Sequence, residues 1–158
     1  MNWQEVCEHP SLQDLPFKIE LDENGNVIMS PAKVYHSFFQ SEIAFLLHSL
    51  LKDGKTLTEC AIKTSNGTKV ADAAWVSSKR WGSIKHEADA SIAPEICVEV
   101  ISSSNTQKEM ADKRQLYFAA GAKEVWMCDE QGDMSFFNVH HQLIHSELVP
   151  GFPLKVDA

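Results

Sequence analysis

The stretch that decides the fold is PEICVEVISSSNTQKEMADKRQLYFAA, residues 94–120. Its first part, 96–101, is a mostly β-branched apolar run, which is typical of a strand buried on both faces. One acid, Glu99, interrupts this run, and an ionised carboxylate is costly to bury without a partner or a metal ion. Turn and cap residues at 102–105 then predict a helix over 106–120. The buried strand therefore carries an acid that needs a partner.

The predicted helix turns a lysine toward the sheet. Its apolar side chains form one arc at helical spacing, and they are Met110, Leu116, Tyr117 and Ala120. Lys113 falls near the centre of this arc, so its amine is expected to point inward. The alternative is a snorkelling lysine, with its stem on the apolar surface and its head in water.

A second acid, Asp72, lies among small and apolar residues in VADAAWV, residues 70–76. The turn Ser65-Asn66-Gly67 predicts a hairpin between strands at 56–64 and 68–77. If the sheet order follows the chain, Asp72 and Glu99 lie on neighbouring strands. The structural alternative is that backbone amides or arginines satisfy both acids.

The whole pattern predicts a single α/β domain over residues 1–158, with 1–16 as a lead-in segment. A mixed β-sheet flanked by helices is expected, with β-hairpins at the N-terminal and C-terminal ends. The segment 96–129 predicts a right-handed β-α-β unit with parallel strands. The other predicted elements are strands at 17–21 and 27–30, a helix over 35–51, a polar loop or irregular helix over 78–93, and strands at 134–139 and 143–148.

Composition excludes several classes of protein. No apolar stretch is long enough for a membrane span, and the N-terminus does not resemble a signal peptide. The four cysteines form no C-x-x-C pair, which favours reduced thiols in a cytoplasmic protein. No glycine-rich phosphate loop is present, so no nucleotide cofactor is expected.

The net charge of the chain is −8, which weighs against an extended nucleic-acid surface. Acidic residues are, however, also what a magnesium site requires.

Two carboxylates and a lysine suit phosphodiester hydrolysis. Asp72 and Glu99 could hold Mg²⁺ or Mn²⁺, which prefer oxygen ligands and can activate a water molecule. Lys113 could neutralise negative charge that develops in the transition state. On the helix over 35–51, Glu42 is a candidate extra metal ligand and His36 a candidate accessory residue.

Several blocks of the chain resemble the Uma-type family of restriction endonucleases, within the PD-(D/E)XK nuclease superfamily. They are FKIELDENGNVIMSP with His36 soon after, VADAAWV, PEICVEVISSS and DKRQLYFAAGAKEVWMCD. The resemblance covers about residues 17–129. It implies a restriction-endonuclease-like fold and a Mg²⁺-dependent endonuclease that cleaves DNA. A homodimer is also expected, since cutting both strands of a duplex needs two sites.

The resemblance matches Asp72 to the first acid of the superfamily motif and Glu99 to the second. Two positions depart from that motif. Ala71 stands where proline is expected, and Ile101 occupies the position of the usual lysine. Lys113 on the following helix matches the lysine that similar families supply from there. The displaced lysine and the acidic charge also keep a second interpretation open, a catalytically inactive nuclease-fold module that binds a protein or nucleic-acid partner.

Overall fold

The structure is a computed structural model that describes residues 1–157. The helices are α1 (Trp3–Glu8), α2 (Val34–Leu50), α3 (Ser78–Ile84) and α4 (Gln107–Ala119), with a short 3₁₀ helix at Pro10–Leu12. The strands are β1 (Phe17–Leu21), β2 (Val27–Pro31), β3 (Lys55–Thr64), β4 (Gly67–Val76), β5 (Ile96–Val100), β6 (Glu124–Cys128), β7 (Met134–Phe137) and β8 (Gln142–Leu143). The predicted α/β class is confirmed.

The central sheet has six strands in the order β3-β4-β5-β6-β7-β8, which is also their order in the chain. The β5–β6 pair is parallel, as predicted for a strand-helix-strand unit, and the other pairs are antiparallel. The α4 helix makes the crossover between β5 and β6. Strands β1 and β2 form a separate two-stranded sheet.

The two longest helices cover opposite faces of the central sheet. On one face, Phe39, Ile43 and Leu47 of α2 pack into the same cluster as Trp126. On the other face, α4 contributes side chains to a cluster that includes Cys97 of β5. Successive side chains of a strand alternate between the two faces. Every second residue of β5 is therefore directed toward α4.

The β1–β2 hairpin is docked against β4. The backbone N–H of Val70 donates to the Glu20 carboxylate, and the Lys69 amine donates to the Leu21 carbonyl. At the turn, Gly67 has a φ of 80°, and a Cβ there would collide with the backbone of Leu21 and Asp22. Gly67 therefore serves both the turn between β3 and β4 and the close approach of the β1–β2 hairpin, which places β1 against β4.

The last hairpin is shorter than predicted, since a strand over 143–148 was expected and β8 has only two residues. The cause is the buried carboxylate of Glu124. It accepts hydrogen bonds from the backbone N–H groups of Glu147 and Leu148, at 3.0 and 2.9 Å. It also accepts the Ser146 hydroxyl and the Trp126 indole N–H. These amides are therefore used by a side chain and are not free for a strand ladder.

The cysteines at positions 7, 60, 97 and 128 are all free thiols. Cys97 and Cys128 are buried in the core strands, whereas Cys7 is exposed. Across residues 1–157, no helix combines the length and the apolar character that a membrane span requires.

Candidate active site

The candidate site lies where β4 and β5 separate. These strands pair over 73–75 and 96–98, and Asp72 and Glu99 are the next residue on each strand beyond the paired segment. The backbone N–H of Val100 donates to Asp72 Oδ2 at 2.7 Å. The Asp72 carboxylate therefore accepts the hydrogen bond that a backbone carbonyl of a neighbouring strand would otherwise accept. The two carboxylate side chains are only 2% and 3% exposed. We call this point, where β4 and β5 separate at Asp72 and Glu99, the fork. It holds both predicted acids in the protein interior.

A lysine from β1 bridges these two acids. The Lys18 ammonium lies 3.2 Å from Asp72 Oδ1 and 2.8 Å from Glu99 Oε2. It enters the fork because the β1–β2 hairpin is docked on β4. The predicted neighbours Asp72 and Glu99 are therefore close enough to share one cation.

The lysine of α4 bridges a second pair of acids. Lys113 Nζ lies 3.0 Å from Glu99 Oε1 and 2.8 Å from Glu20 Oε2. Its side chain is 16% exposed, so it points inward and does not snorkel. Glu20 is fixed by the Val70 N–H, which donates to Oε2 at 2.6 Å. Three carboxylates and two ammonium groups thus form one connected cluster.

Two further side chains hold the acids in position. His36, in the first turn of α2, places Nε2 3.4 Å from Asp72 Oδ2. Tyr117 lies one turn beyond Lys113 on α4, and its hydroxyl donates to Glu99 Oε1 at 2.6 Å. Each carboxylate of the fork is therefore oriented from more than one element, which is the arrangement that a precise site requires.

Burial and charge shift the protonation equilibria of the cluster in different directions. Burial raises the pKa of Glu99 above its ordinary value, although Lys113 and Lys18 oppose the shift. Burial acts in the same sense on Asp72, but Lys18, His36 and the Val100 N–H outweigh it and lower the pKa of that carboxyl. For Lys18, burial alone would lower the pKa, but the surrounding carboxylates raise it. Asp72 is therefore ionised at neutral pH, and Glu99 is the acid that accepts a proton more readily.

Asp72 should make the stability of the protein depend on pH in the acid range. Its folded pKa lies below the unfolded value of 3.8, so its stabilising contribution is complete above that pH and is lost as the pH falls through the folded pKa. The wild type should exceed Asp72→Asn in unfolding free energy, and we expect this difference to be smaller at about pH 3 than at about pH 6. Urea titrations of both proteins measure this gap. An equal gap at both pH values would contradict the assigned ion pairing.

The cluster opens into a cavity of about 510 Å³. One wall consists of β2 and the start of α2, and another consists of the loop after β5 and the first half of α4. Lys18, Glu20, His36, Glu99 and Lys113 all line the cavity. A ligand can therefore reach Glu20, Glu99 and both lysines from solvent, whereas Asp72 lies behind Lys18.

Glu42 is the one predicted site residue that the structure does not place with the others. It is half-buried on α2 and is not among the residues that line the cavity. Six residues separate it from His36, which places it about 120° away around the helix. The third acid that the structure brings to this cluster is Glu20 of β1.

The donor chemistry of the cluster fits a hard divalent cation, because Glu20, Asp72 and Glu99 offer carboxylate oxygens. The present arrangement is not a metal cage, however. Among residues 1–157, no three His, Cys, Asp or Glu side chains are grouped closely enough to hold an ion. The two lysine ammonium groups lie between the acids instead.

Sequence reasoning did not identify Lys18 and Glu20 as site residues. Both lie in the segment FKIEL, where polar and apolar residues alternate, and they share one face of β1. That alternation alone predicts a strand with a solvent-facing polar side. The identification of Lys18 and Glu20 therefore required knowledge of where the hairpin docks.

The sequence model of the Uma2 family, described as "Putative restriction endonuclease", matches residues 3–149. Among solved structures, a "putative nuclease" from Anabaena variabilis superposes with a TM-score of 0.70 at 18% sequence identity. The match covers 93% of this chain and 85% of that chain. No curated protein matches the sequence. At this identity the structural likeness shows a shared fold, whereas the family match extends over nearly the whole chain.

Proposed function

Because the chain belongs to the Uma2 family of restriction-endonuclease-like proteins, we propose that it is a metal-dependent endonuclease that hydrolyses phosphodiester bonds in DNA. The observation that carries the proposal is one connected cluster beside an open cavity: Glu99 and Lys113 line the cavity, and Lys18 joins the buried Asp72 to Glu99. Burying acids from two adjoining strands beside an amine from the next helix is costly, and a catalytic role would explain why that cost is tolerated at a solvent-accessible cavity.

The proposed ion is Mg²⁺ or Mn²⁺, held by Asp72 and Glu99 with Glu20 as a third carboxylate. When bound, such an ion activates water and stabilises charge on a phosphate. Lys113, fixed between Glu20 and Glu99, is placed to stabilise negative charge on the scissile phosphate. His36 positions Asp72, and Tyr117 positions Glu99 through its hydroxyl.

The charges that line the cavity are compatible with a nucleic-acid substrate. The chain carries a net charge of −8, which predicts weak binding to free DNA. The cavity wall is more balanced, because four lysines line it together with four acids. The lysines are Lys18, Lys33, Lys69 and Lys113. The cavity therefore repels a phosphate backbone less than the net charge of the whole chain would suggest.

A plasmid-nicking assay tests the proposed activity. Purified protein is incubated with supercoiled plasmid in Mg²⁺, in Mn²⁺ or in a chelator, and the topological forms are separated on a gel. We expect nicked circles only with a divalent ion, and linear product as well if the protein acts as the proposed homodimer. A well-folded sample that leaves the plasmid supercoiled under all three conditions would overturn the proposal. Gel filtration tests the dimer separately.

A specific observation favours a second candidate, a non-catalytic nuclease-fold module. In the described chain, no buried side-chain nitrogen or oxygen lacks a hydrogen-bond partner. Asp72 and Glu99 are already paired with lysines, and these ion pairs by themselves would stabilise the point where β4 and β5 separate. Such a module would show neither nicking nor metal binding, and conservative changes to its acids would affect only stability.

A further inference from the structure

The ammonium group of Lys18 occupies the point at which the two principal acids meet. It lies within 3.2 Å of Asp72 and 2.8 Å of Glu99, and its side chain is 15% exposed. Among residues 1–157, it is the one amine that pairs with both of these acids. A divalent ion held jointly by the two carboxylates would need the same space.

The charge of the cluster favours replacement of the Lys18 ammonium by a divalent ion. Binding of the ion beside Lys18 is less favourable. The three carboxylates and the two ammonium groups together carry one negative charge. A divalent ion added beside Lys18 would leave one positive charge and would bring two cations together. If Lys18 withdraws as the ion enters, the cluster becomes neutral. Buried charge is least costly when it is balanced, so the exchange is the favoured route.

The two lysines differ in how readily they could leave. Lys113 extends from α4 and makes close ion pairs with Glu20 and Glu99, so it can keep those acids together while the fork is rearranged. Both lysines line the open cavity and have flexible four-carbon stems. They differ because Lys18 belongs to the small β1–β2 sheet and not to the central sheet that carries Asp72 and Glu99. Its ammonium can therefore move into the cavity without disturbing the fork.

We propose that Lys18 is a resident cation of the site, which holds Asp72 and Glu99 in place until a divalent ion displaces it. Lys18 thereby sets the affinity of the site for metal. This inference rests on the proposed metal-dependent function and gives a role to the amine that lies between Asp72 and Glu99.

Isothermal titration with Mn²⁺ tests the displacement. We expect Lys18→Met to bind Mn²⁺ about tenfold more tightly than the wild type or more, which corresponds to about 1.4 kcal/mol. Lys108→Met is the matched control, because that lysine is exposed, pairs only with Asp112 and does not line the cavity. Its affinity for Mn²⁺ should equal that of the wild type.

The outcomes separate this inference from the proposed function. If the wild type binds Mn²⁺ and Lys18→Met binds it equally or more weakly, displacement is wrong and the metal site stands. If neither protein binds Mn²⁺, the metal-dependent function fails and the displacement fails with it. Binding by Lys18→Met alone would show that Lys18 excludes the ion and is not displaced by it, which overturns the displacement.

A second measurement on the wild-type protein covers the case in which Lys18→Met does not fold. Reductive methylation followed by peptide mass spectrometry reports the accessibility of each amine. We expect Lys18 to be methylated faster with Mn²⁺ than without it, while the exposed Lys108 reacts at the same rate in both samples. An unchanged rate at Lys18 in the presence of saturating Mn²⁺ would overturn the proposal.

Discussion

Asp72→Asn should reduce metal-dependent plasmid nicking by about a hundredfold or more. The substitution keeps the size of the side chain and its hydrogen bond with the Val100 N–H. It removes the negative charge that the proposed ion would share with Glu99. Because an amide is a much poorer ligand for Mg²⁺ than a carboxylate, the loss should appear in the rate at saturating DNA as well as in the metal concentration required. Time courses of nicking at several Mg²⁺ concentrations measure both.

Glu42→Gln is the matched control for that experiment. Glu42 is an acid on α2 that does not line the cavity and, unlike Asp72, takes no part in the ion pairs of the cluster. Its substitution should leave the nicking rate within about twofold of the wild type. Glu99→Gln and Lys113→Ala should behave like Asp72→Asn, provided that circular dichroism shows a native fold. Full activity of a folded Asp72→Asn protein would remove the acid cluster from the mechanism.

Glu124→Ala should lower the free energy of unfolding by about 3–5 kcal/mol, although Glu124 lies outside the candidate site. Its carboxylate is buried and accepts four hydrogen bonds, from the Trp126 indole, the Ser146 hydroxyl and the N–H groups of Glu147 and Leu148. Alanine would leave these donors without their acceptor in a site that the side chain now fills. The C-terminal segment, whose Val149, Phe152 and Val156 share an apolar cluster with side chains of α2, should then pack less tightly. Chemical denaturation monitored by tryptophan fluorescence measures the change.

Glu23→Ala provides the comparison for this prediction. Glu23 is exposed in the turn between β1 and β2, so its replacement should change stability by less than about 0.5 kcal/mol. If Glu124→Ala lowered the free energy of unfolding no more than Glu23→Ala, the Glu124 carboxylate would not be required to hold the C-terminal segment in place. Activity per folded molecule should be retained in both variants, because neither residue lines the cavity.

The sequence by itself determined the centre of the fold and part of its chemistry. The apolar run with Glu99, the helix with Lys113 and the hairpin with Asp72 each have a local pattern, set by strand and helix periodicity and by turn residues. Neighbouring β-strands in the chain then became neighbours in the sheet. Those elements follow from interactions over short distances along the chain, which a sequence displays directly.

Only the tertiary structure decided which other charges enter the site. Lys18 and Glu20 lie more than 50 residues before Asp72 in the chain, and they reach the fork because one hairpin docks on another. The same packing directs His36 to the acids and leaves Glu42 on a different part of α2. Glu124 likewise ends the last hairpin through contacts that no local pattern encodes. A buried charge selects its partners in three dimensions, because the cost of desolvation depends on everything that surrounds it and not on its neighbours in the chain.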